Sequence, residues 1–179
     1  MTQIGSVYGE ALYSLASEEK LDTDILQQLL VLEQSISQEP DFVRLMVAPN
    51  LSKEERCGIL DESFRGKVHE YVLNFMKILT EKGYFRHFSA CVQGYRECYN
   101  AYHNILTVKA VTAVPLSPEQ TRKLILKLQS LTGKKVALTN KVDPACMGGV
   151  RLDYDGKRVD GTVSNRLEKL GSLLKNTVL

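Results

Sequence analysis

Few residues in this chain have side chains whose chemistry could support catalysis or metal binding. The three histidines are scattered, and none shares a short motif with a serine or cysteine nucleophile, so their spacing does not favour a catalytic triad. The four cysteines form no Cys-x-x-Cys pair and have no nearby histidine at zinc-ligand spacing. We therefore expect no catalytic site, no metal site and no bound cofactor, and we expect reduced thiols with a structural role or none. These residues are His69, His87, His103, Cys57, Cys91, Cys98 and Cys146.

Two short glycine motifs resemble ligand-binding loops but fail on spacing. Gly148-Gly149 is not followed by the Gly-Lys-Ser/Thr of a phosphate-binding loop, and we expect these glycines to permit a bulge or a close backbone approach. Asp153-x-Asp155-Gly156 resembles a calcium loop, but its glycine comes too early and no glutamate stands at the twelfth position. Asp155-Gly156 instead predicts a two-residue type I′ hairpin turn.

Length and composition indicate a soluble globular protein with room for two small domains. The chain has 179 residues, of which 44% are hydrophobic and 25% charged. Its longest strongly aliphatic run, residues 29–32, is far shorter than the roughly 20 residues of a membrane span. We recognise no secretory signal or transit peptide. We therefore expect a cytosolic protein that reaches a membrane only through a partner.

The charge is divided unequally along the chain. Residues 1–105 contain 10 basic and 15 acidic residues, a net charge of −5, whereas residues 106–179 contain 13 basic and 6 acidic residues, a net charge of +7. Such a division predicts two domains with different surfaces.

The first 105 residues show the helical period throughout. Apolar residues recur at steps of three and four in six segments with short connections, which predicts an antiparallel six-helix bundle. Ser52 to Glu55 form a capping box for the fourth helix, and Gly83 suits the end of the fifth. The sixth helix is predicted to extend from Phe85 to Leu106, with the domain boundary near residues 104–108.

The period then changes to that of a small α/β domain. We predict a strand over residues 108–114, a helix capped by the box at residues 117–120, a strand over residues 135–142, and a hairpin over residues 150–160. Gly161 is expected to have a positive φ angle, and Thr162 to cap a terminal helix. The predicted fold class is therefore α+β. Val163, Leu167, Leu170, Leu173 and Leu174 give that helix an apolar stripe.

Two helices of the bundle have broader apolar arcs than a minimal core requires. Tyr13 broadens the arc of the first helix, and Leu73, Met76 and Ile78 broaden that of the fifth. A groove between two helices that accepts a partner helix would use this width, although such residues are more often core. The basic second half leaves a nucleic-acid-binding adaptor as an alternative, with a steep salt dependence of RNA binding as its test. A small enzyme with an unrecognised site is a second alternative, which a screen for bound cofactor would reveal.

The last third of the chain resembles a known family. Its glycine and aspartate spacing is similar to the C-terminal signature of the delta subunit of F-type ATP synthases. The matching residues are Asp143, Gly148-Gly149, Gly156, the run Asp160-Gly161-Thr162 and the run from Arg166 to Leu170. The mitochondrial counterpart in that family is the oligomycin-sensitivity-conferring protein. The resemblance continues in the opening helix around Tyr8, Ala11, Leu12, Leu15 and Ala16, in the fifth helix from Asn74 to Gly83, and in the run from Val114 to Ser117.

The resemblance implies a peripheral-stalk subunit that is not an enzyme. It implies a helical bundle, residues 1–105, that binds N-terminal helices of the alpha subunits of the catalytic head, one of them between the first and fifth helices. It also implies a C-terminal α/β domain, residues 106–179, that binds the C-terminus of the membrane-anchored b subunits. The location implied is the cytoplasmic face of the cell membrane, without nucleic acid as a partner.

Candidate contact residues follow from this resemblance. We expect the alpha-subunit helix to contact Tyr8, Ala11, Leu12 and Leu15 of the first helix and Val72, Phe75, Met76 and Leu79 of the fifth, with Gly9 and Ala11 allowing close approach. We expect the b subunit to contact Arg166, Leu167, Leu170 and Leu174.

Overall fold

The structure, a computed structural model, describes residues 3–163 and 165 of the chain. The chain divides into two units, Met1–Tyr99 and Asn100–Leu179. This division lies a few residues before the boundary expected from the sequence. The autonomy of segments 1–105 and 106–179 stays a prediction.

The first unit is built from helices, as the sequence predicts. Ser52 opens the fourth helix with a capping box: its Oγ accepts a hydrogen bond from the Glu55 amide (3.1 Å), and its own amide donates to the Glu55 carboxylate (2.7 Å). Gly83 follows the fifth helix with a φ of 71°, the left-handed conformation that favours glycine. The helices are α1 (Gln3–Glu18), α2 (Asp22–Gln38), α3 (Pro40–Met46), α4 (Lys53–Phe64), α5 (Glu70–Glu81) and α6 (Phe88–Tyr102).

Side chains from all six helices form one core. Apolar residues at helical spacing turn inward, and the largest fully buried side chains include Tyr95, Phe85, Ile25, Leu29 and Met46. Burial of this apolar surface is the main favourable contribution to the stability of the bundle.

The sixth helix is shorter than the sequence predicts. Phe85–His87 form a separate 3₁₀ turn, and the helix proper ends at Tyr102. Leu106 lies in the following strand, because Asn104 has a φ of 56°, outside the helical conformation, and the helix cannot continue through it. The error has a physical origin: Leu106 continues the three-and-four spacing of the helix and also belongs to the alternating pattern of the strand.

The second unit contains a four-stranded mixed sheet and one described long helix. The strands are β1 (Ile105–Thr112), β2 (Lys135–Val142), β3 (Val150–Tyr154) and β4 (Lys157–Asp160), in the order β2-β1-β3-β4. β1 and β2 are parallel and joined by α7 (Pro118–Thr132), whereas β3 pairs antiparallel with both β1 and β4. The first strand therefore begins and ends earlier than the predicted 108–114.

α7 covers one face of the sheet. The Ser117 Oγ accepts from the Gln120 amide (3.2 Å), which confirms the predicted capping box, and Gly133 ends the helix with a φ of 68°. Leu128 of α7 packs with Leu106 and Val108 of β1. Partly buried neighbours complete this small core: Leu124, Val136, Leu138, Leu152 and Tyr154.

The hairpin and the start of the last segment meet at a close backbone contact. Asp155 and Gly156 have φ angles of 45° and 71°, which confirms the predicted turn. The expected positive φ at Gly161 is wrong, because the Gly161 amide donates to the Val150 carbonyl (3.0 Å) in an ordinary backbone conformation. Gly149 has the positive φ instead, 78°, and a Cβ there would lie 2.5 Å from the Gly161 oxygen.

Candidate functional site

α1 and α5, the two helices expected to hold a partner, pack directly against each other. Tyr8 is half-buried and its ring makes an edge-to-face contact with Tyr84, just beyond α5, at a centroid distance of 6.0 Å. On α1, Ala11 is exposed and Leu15 retains 51% of its accessible surface. These three of the expected contact residues are therefore within reach of a partner.

The other five expected contact residues belong to the core of the bundle. They are buried, and three of them have no accessible surface at all, because α5 lies in the middle of the helical unit and turns apolar residues toward several neighbours. A partner lying on this face would meet them only if the bundle opened. These residues are Leu12 (5% exposed), Val72 (0%), Phe75 (5%), Met76 (0%) and Leu79 (0%).

The broad apolar arcs also have an internal explanation. Tyr13 is buried and packs edge to face on Tyr95 of α6 at 5.4 Å, and Leu73 and Met76 are core residues. Ile78 is the exception on α5, with 43% of its surface exposed. Val7 belongs to the apolar stripe of the first helix in the sequence but is not among the expected contact residues. It is 58% exposed and precedes Ala11 by one helical turn. Its spacing of four and eight from Ala11 and Leu15 is the signal that places it beside them.

The sequence suggests that Gly9 allows a partner helix to approach closely. In the structure Gly9 faces α6 of the same unit. A Cβ at Gly9 would lie 2.5 Å from both the Cys91 carbonyl oxygen and the Tyr95 amide nitrogen, and Gly94 approaches Gly5 as closely from the other side. The glycines thus serve an intramolecular helix crossing in which backbone meets backbone.

The expected b-subunit contacts Arg166, Leu167, Leu170 and Leu174 lie outside the described residues. Hydrogen bonds hold the segment that leads to them. Asp160 accepts hydrogen bonds from the Thr162 amide (2.9 Å) and hydroxyl (2.7 Å), and these bonds hold the pKa of the carboxyl below its usual range. The Thr162 hydroxyl also accepts from the Asn165 amide (3.3 Å), as predicted for a helix cap.

Two of the potentially reactive groups, His69 and Cys91, occupy structural positions. The His69 imidazole caps α5 by accepting from the Tyr71 amide (3.2 Å). Burial raises the pKa of the Cys91 thiol to about 11, which suppresses its nucleophilic thiolate form. Within the described residues, no three histidine, cysteine or acidic side chains are grouped as metal ligands. The described helices include none with the length and apolar character required to cross a bilayer.

Comparison with known proteins identifies the family. Residues 4–174 match the family model for the ATP synthase delta (OSCP) subunit, which covers nearly the whole chain. The chain belongs to this family. A delta-family protein of Alkaliphilus oremlandii, described as ATP synthase subunit delta, is 33% identical over 171 residues, covering 93% of this chain and 95% of that protein. One from Clostridioides difficile with the same description is 30% identical over 177 residues, covering 98% and 97%.

The fold agrees with that of a chain in a solved ATP synthase structure. A chain in the cryo-EM structure of the Toxoplasma gondii mitochondrial ATP synthase hexamer aligns with a TM-score of 0.72 over 97% of this chain and 98% of that chain, at 18% identity. At that identity the comparison supports the shared fold, a helical unit followed by a small mixed sheet. Family membership connects the chain with ATP synthesis and ion transport.

Proposed function

We propose that the chain is a non-catalytic peripheral-stalk subunit of an F-type, proton-translocating ATP synthase. The family match over residues 4–174 carries the proposal, because it includes both structural units. The subunit would link the catalytic head to the membrane-anchored b subunits, so that rotor torque drives ATP synthesis instead of turning the head. It would act at the cytoplasmic face of the cell membrane, as a peripheral protein held there by its partners.

A stator transmits force, so each of its ends must bind firmly without a chemical step. The two units of this chain have separate cores, and their sequences carry net charges of opposite sign. This arrangement suits two dissimilar partners, one for each unit.

We propose that an alpha-subunit N-terminal helix lies along α1 and α5. Tyr8, Ala11 and Leu15 would contact it, together with Ile78, since these side chains retain accessible surface. Five buried side chains beneath this surface would fix the spacing of the two helices. They are Leu12, Val72, Phe75, Met76 and Leu79. Such a contact is apolar, and its affinity is expected to change little with salt.

Binding of a synthetic peptide from the alpha-subunit N-terminus to the full chain tests this contact. Leu15→Glu should weaken binding about tenfold or more, because it introduces a charge into an apolar contact. Val31→Glu is the matched control, since Val31 is 64% exposed on α2 and lies outside the proposed surface. Equal affinity for the two variants would place the alpha-subunit contact elsewhere.

We propose that the C-terminal unit binds the b subunit through Arg166, Leu167, Leu170 and Leu174. The double variant Leu167→Glu/Leu170→Glu should lose b-subunit binding in a pull-down and keep binding to the head. A complex assembled with it should hydrolyse ATP without pumping protons. Coupled pumping together with wild-type b affinity would refute this assignment.

A further inference from the structure

The sheet of the C-terminal unit has a second face, opposite α7. Other residues of the chain cover it at Val111, which is 0% exposed, but the lysines and threonines of β1 and β2 on this face are exposed. The strand register places alternate residues of β1 and β2 there, opposite the apolar layer of Leu106 and Val108. Adjacent positions of β3 and β4 extend the same face. We call it the basic sheet face, because it carries five cations and two carboxylates. These residues are Lys109, Lys135, Lys141, Arg151, Arg158, Asp153 and Asp160.

Both carboxylates of the basic sheet face already have partners. The Arg158 Nε lies 2.8 Å from one oxygen of Asp153, and the Arg151 Nε lies 3.6 Å from the other. Asp160 is occupied by the two bonds from Thr162. The two carboxylates stay ionised and balance two of the five cations, so the face keeps a surplus of three positive charges.

Three lysines supply this surplus. Lys109, Lys135 and Lys141 are exposed, and none has a carboxylate within 4.0 Å among the ion pairs of the described residues. In the register of β1 and β2, Lys135 lies beside Ile105 and Lys141 lies beside Val111. The two lysines are therefore six positions apart along β2. Six positions correspond to about 20 Å, with Lys109 between the ends on the neighbouring strand. The lysines thus form a basic strip as long as about 13 residues of α-helix.

The basic sheet face has a concave region. A depression of about 600 Å³ is lined by Thr107 and Lys109 of β1 and by residues of the β3–β4 hairpin, Tyr154 among them. By register Tyr154 belongs to the opposite face, where it packs with the apolar layer. The positions of β1 to β4 that the register places on the basic sheet face carry no aromatic residue, whereas single-stranded nucleic acids are held by stacking on aromatic rings. Charge complementarity without stacking fits a polypeptide.

We propose that the basic sheet face is a docking surface for an acidic polypeptide segment. The segment would lie along the strip and place carboxylates opposite Lys109, Lys135 and Lys141. The residues of this surface are different from the terminal residues proposed above to bind the b subunit. It therefore adds a second contact to the C-terminal unit.

Fluorescence anisotropy of the full chain tests the proposal. The probe is a fluorescein-labelled peptide of about 14 residues with equal numbers of Glu and Ala, long enough to span the strip as a helix. K109Q/K135Q/K141Q should weaken its binding about tenfold or more, and binding should fall steeply with salt. R122Q/K123Q/K127Q removes three exposed cations of α7 and is the control of equal charge change; it should weaken binding by less than about twofold.

Equal losses in the two triple variants would overturn the proposal, because they would reflect net charge alone. A labelled oligouridylate of the same length is the second probe. If it bound more tightly than the peptide and lost affinity in the same variant, the face would be a nucleic-acid surface and the proposal would be wrong.

A photo-crosslinker at Thr139, which is exposed beside Lys109, tests the same face in the assembled synthase. Crosslinking to a segment with a clear excess of Asp and Glu supports the proposal. Crosslinking to a neutral or basic segment, or to no other subunit, overturns it.

Discussion

Gly149 is the position where a single methyl group should do most damage to the C-terminal unit. Its φ of 78° is unfavourable for any residue with a Cβ, at a cost of about 1–2 kcal/mol. Its Cβ would also lie 2.5 Å from the Gly161 oxygen and 3.0 Å from the Thr162 Cα, both backbone atoms. Relieving this overlap requires the chain to shift by most of an ångström, which costs about a further 1–3 kcal/mol. Gly149→Ala should therefore destabilise the unit by about 2–5 kcal/mol.

Gly156→Ala is the matched control for this prediction. Gly156 has a similar φ of 71°, but a Cβ there would meet nothing within 4 Å. Gly156→Ala should therefore cost only the free energy of placing a residue with a Cβ at a positive φ, about 1–2 kcal/mol. The difference between the two variants isolates the close approach of the backbone.

Hydrogen–deuterium exchange with mass spectrometry measures the effect in the full chain. Peptides from β1, β2 and β3 should exchange faster in Gly149→Ala than in Gly156→Ala, because exchange from the core of a unit reports its opening free energy. Peptides from α2 and α5 serve as an internal reference and should not change. If the two variants exchanged at the same rate, the close-contact argument would be refuted.

Three further predictions concern the helical unit. Gly9→Ala should destabilise the helical unit by about 1–3 kcal/mol. Gly58→Ala, where a Cβ meets nothing within 4 Å, should stabilise the unit by up to about 1 kcal/mol. Urea unfolding followed by circular dichroism compares the two variants. The Asp61 carboxylate lies 2.6 Å from the Lys77 ammonium, which lowers the pKa of Asp61 in the folded state. This ion pair therefore stabilises the fold above the unfolded-state pKa of about 4, and the stabilisation is lost as pH falls through the folded-state pKa. Asp61→Asn should remove this part of the acid sensitivity in unfolding measured between pH 7 and 2, and an unchanged pH profile would contradict the assignment. Cys91 should resist alkylation by iodoacetamide at pH 8 until the unit unfolds, as mass spectrometry will detect; rapid labelling of the native chain would show that its burial is wrong.

Local signals in the sequence predict most elements of this fold. The boxes at Ser52 and Ser117 and the Asp155-Gly156 turn depend on neighbouring residues alone, and each is found where the sequence places it. The sequence does not predict the end of α6, because Leu106 fits both the three-and-four spacing of the helix and the alternation of the strand that follows. The sequence predicts strain at Gly161 because this glycine follows a strand. In the structure Gly149 combines a positive φ with a Cβ position 2.5 Å from a backbone oxygen, whereas a Cβ at Gly161 would lie 3.2 Å from the Val150 oxygen and its φ is not positive.

The candidate surfaces are harder to derive from sequence, since an apolar arc does not distinguish a partner from the protein's own core. Met76 and Ile78 both broaden α5, yet the first is buried and the second is exposed. The basic sheet face required the strand register: Lys109 and Lys141 are 32 positions apart in sequence and become neighbours only through the pairing of β1 with β2.

The glycine crossing between α1 and α6 has a consequence for the timing of assembly. The contact joins Gly9 to Cys91 and Tyr95, so it closes a loop of more than about 80 residues. α1 leaves the ribosome first, and although it also packs against α2 and α5, its packing is complete only after α6 has been made. We therefore expect the surface proposed for the catalytic head to exist only on a completed bundle, so that a truncated chain would not compete with the full subunit for its place in the synthase.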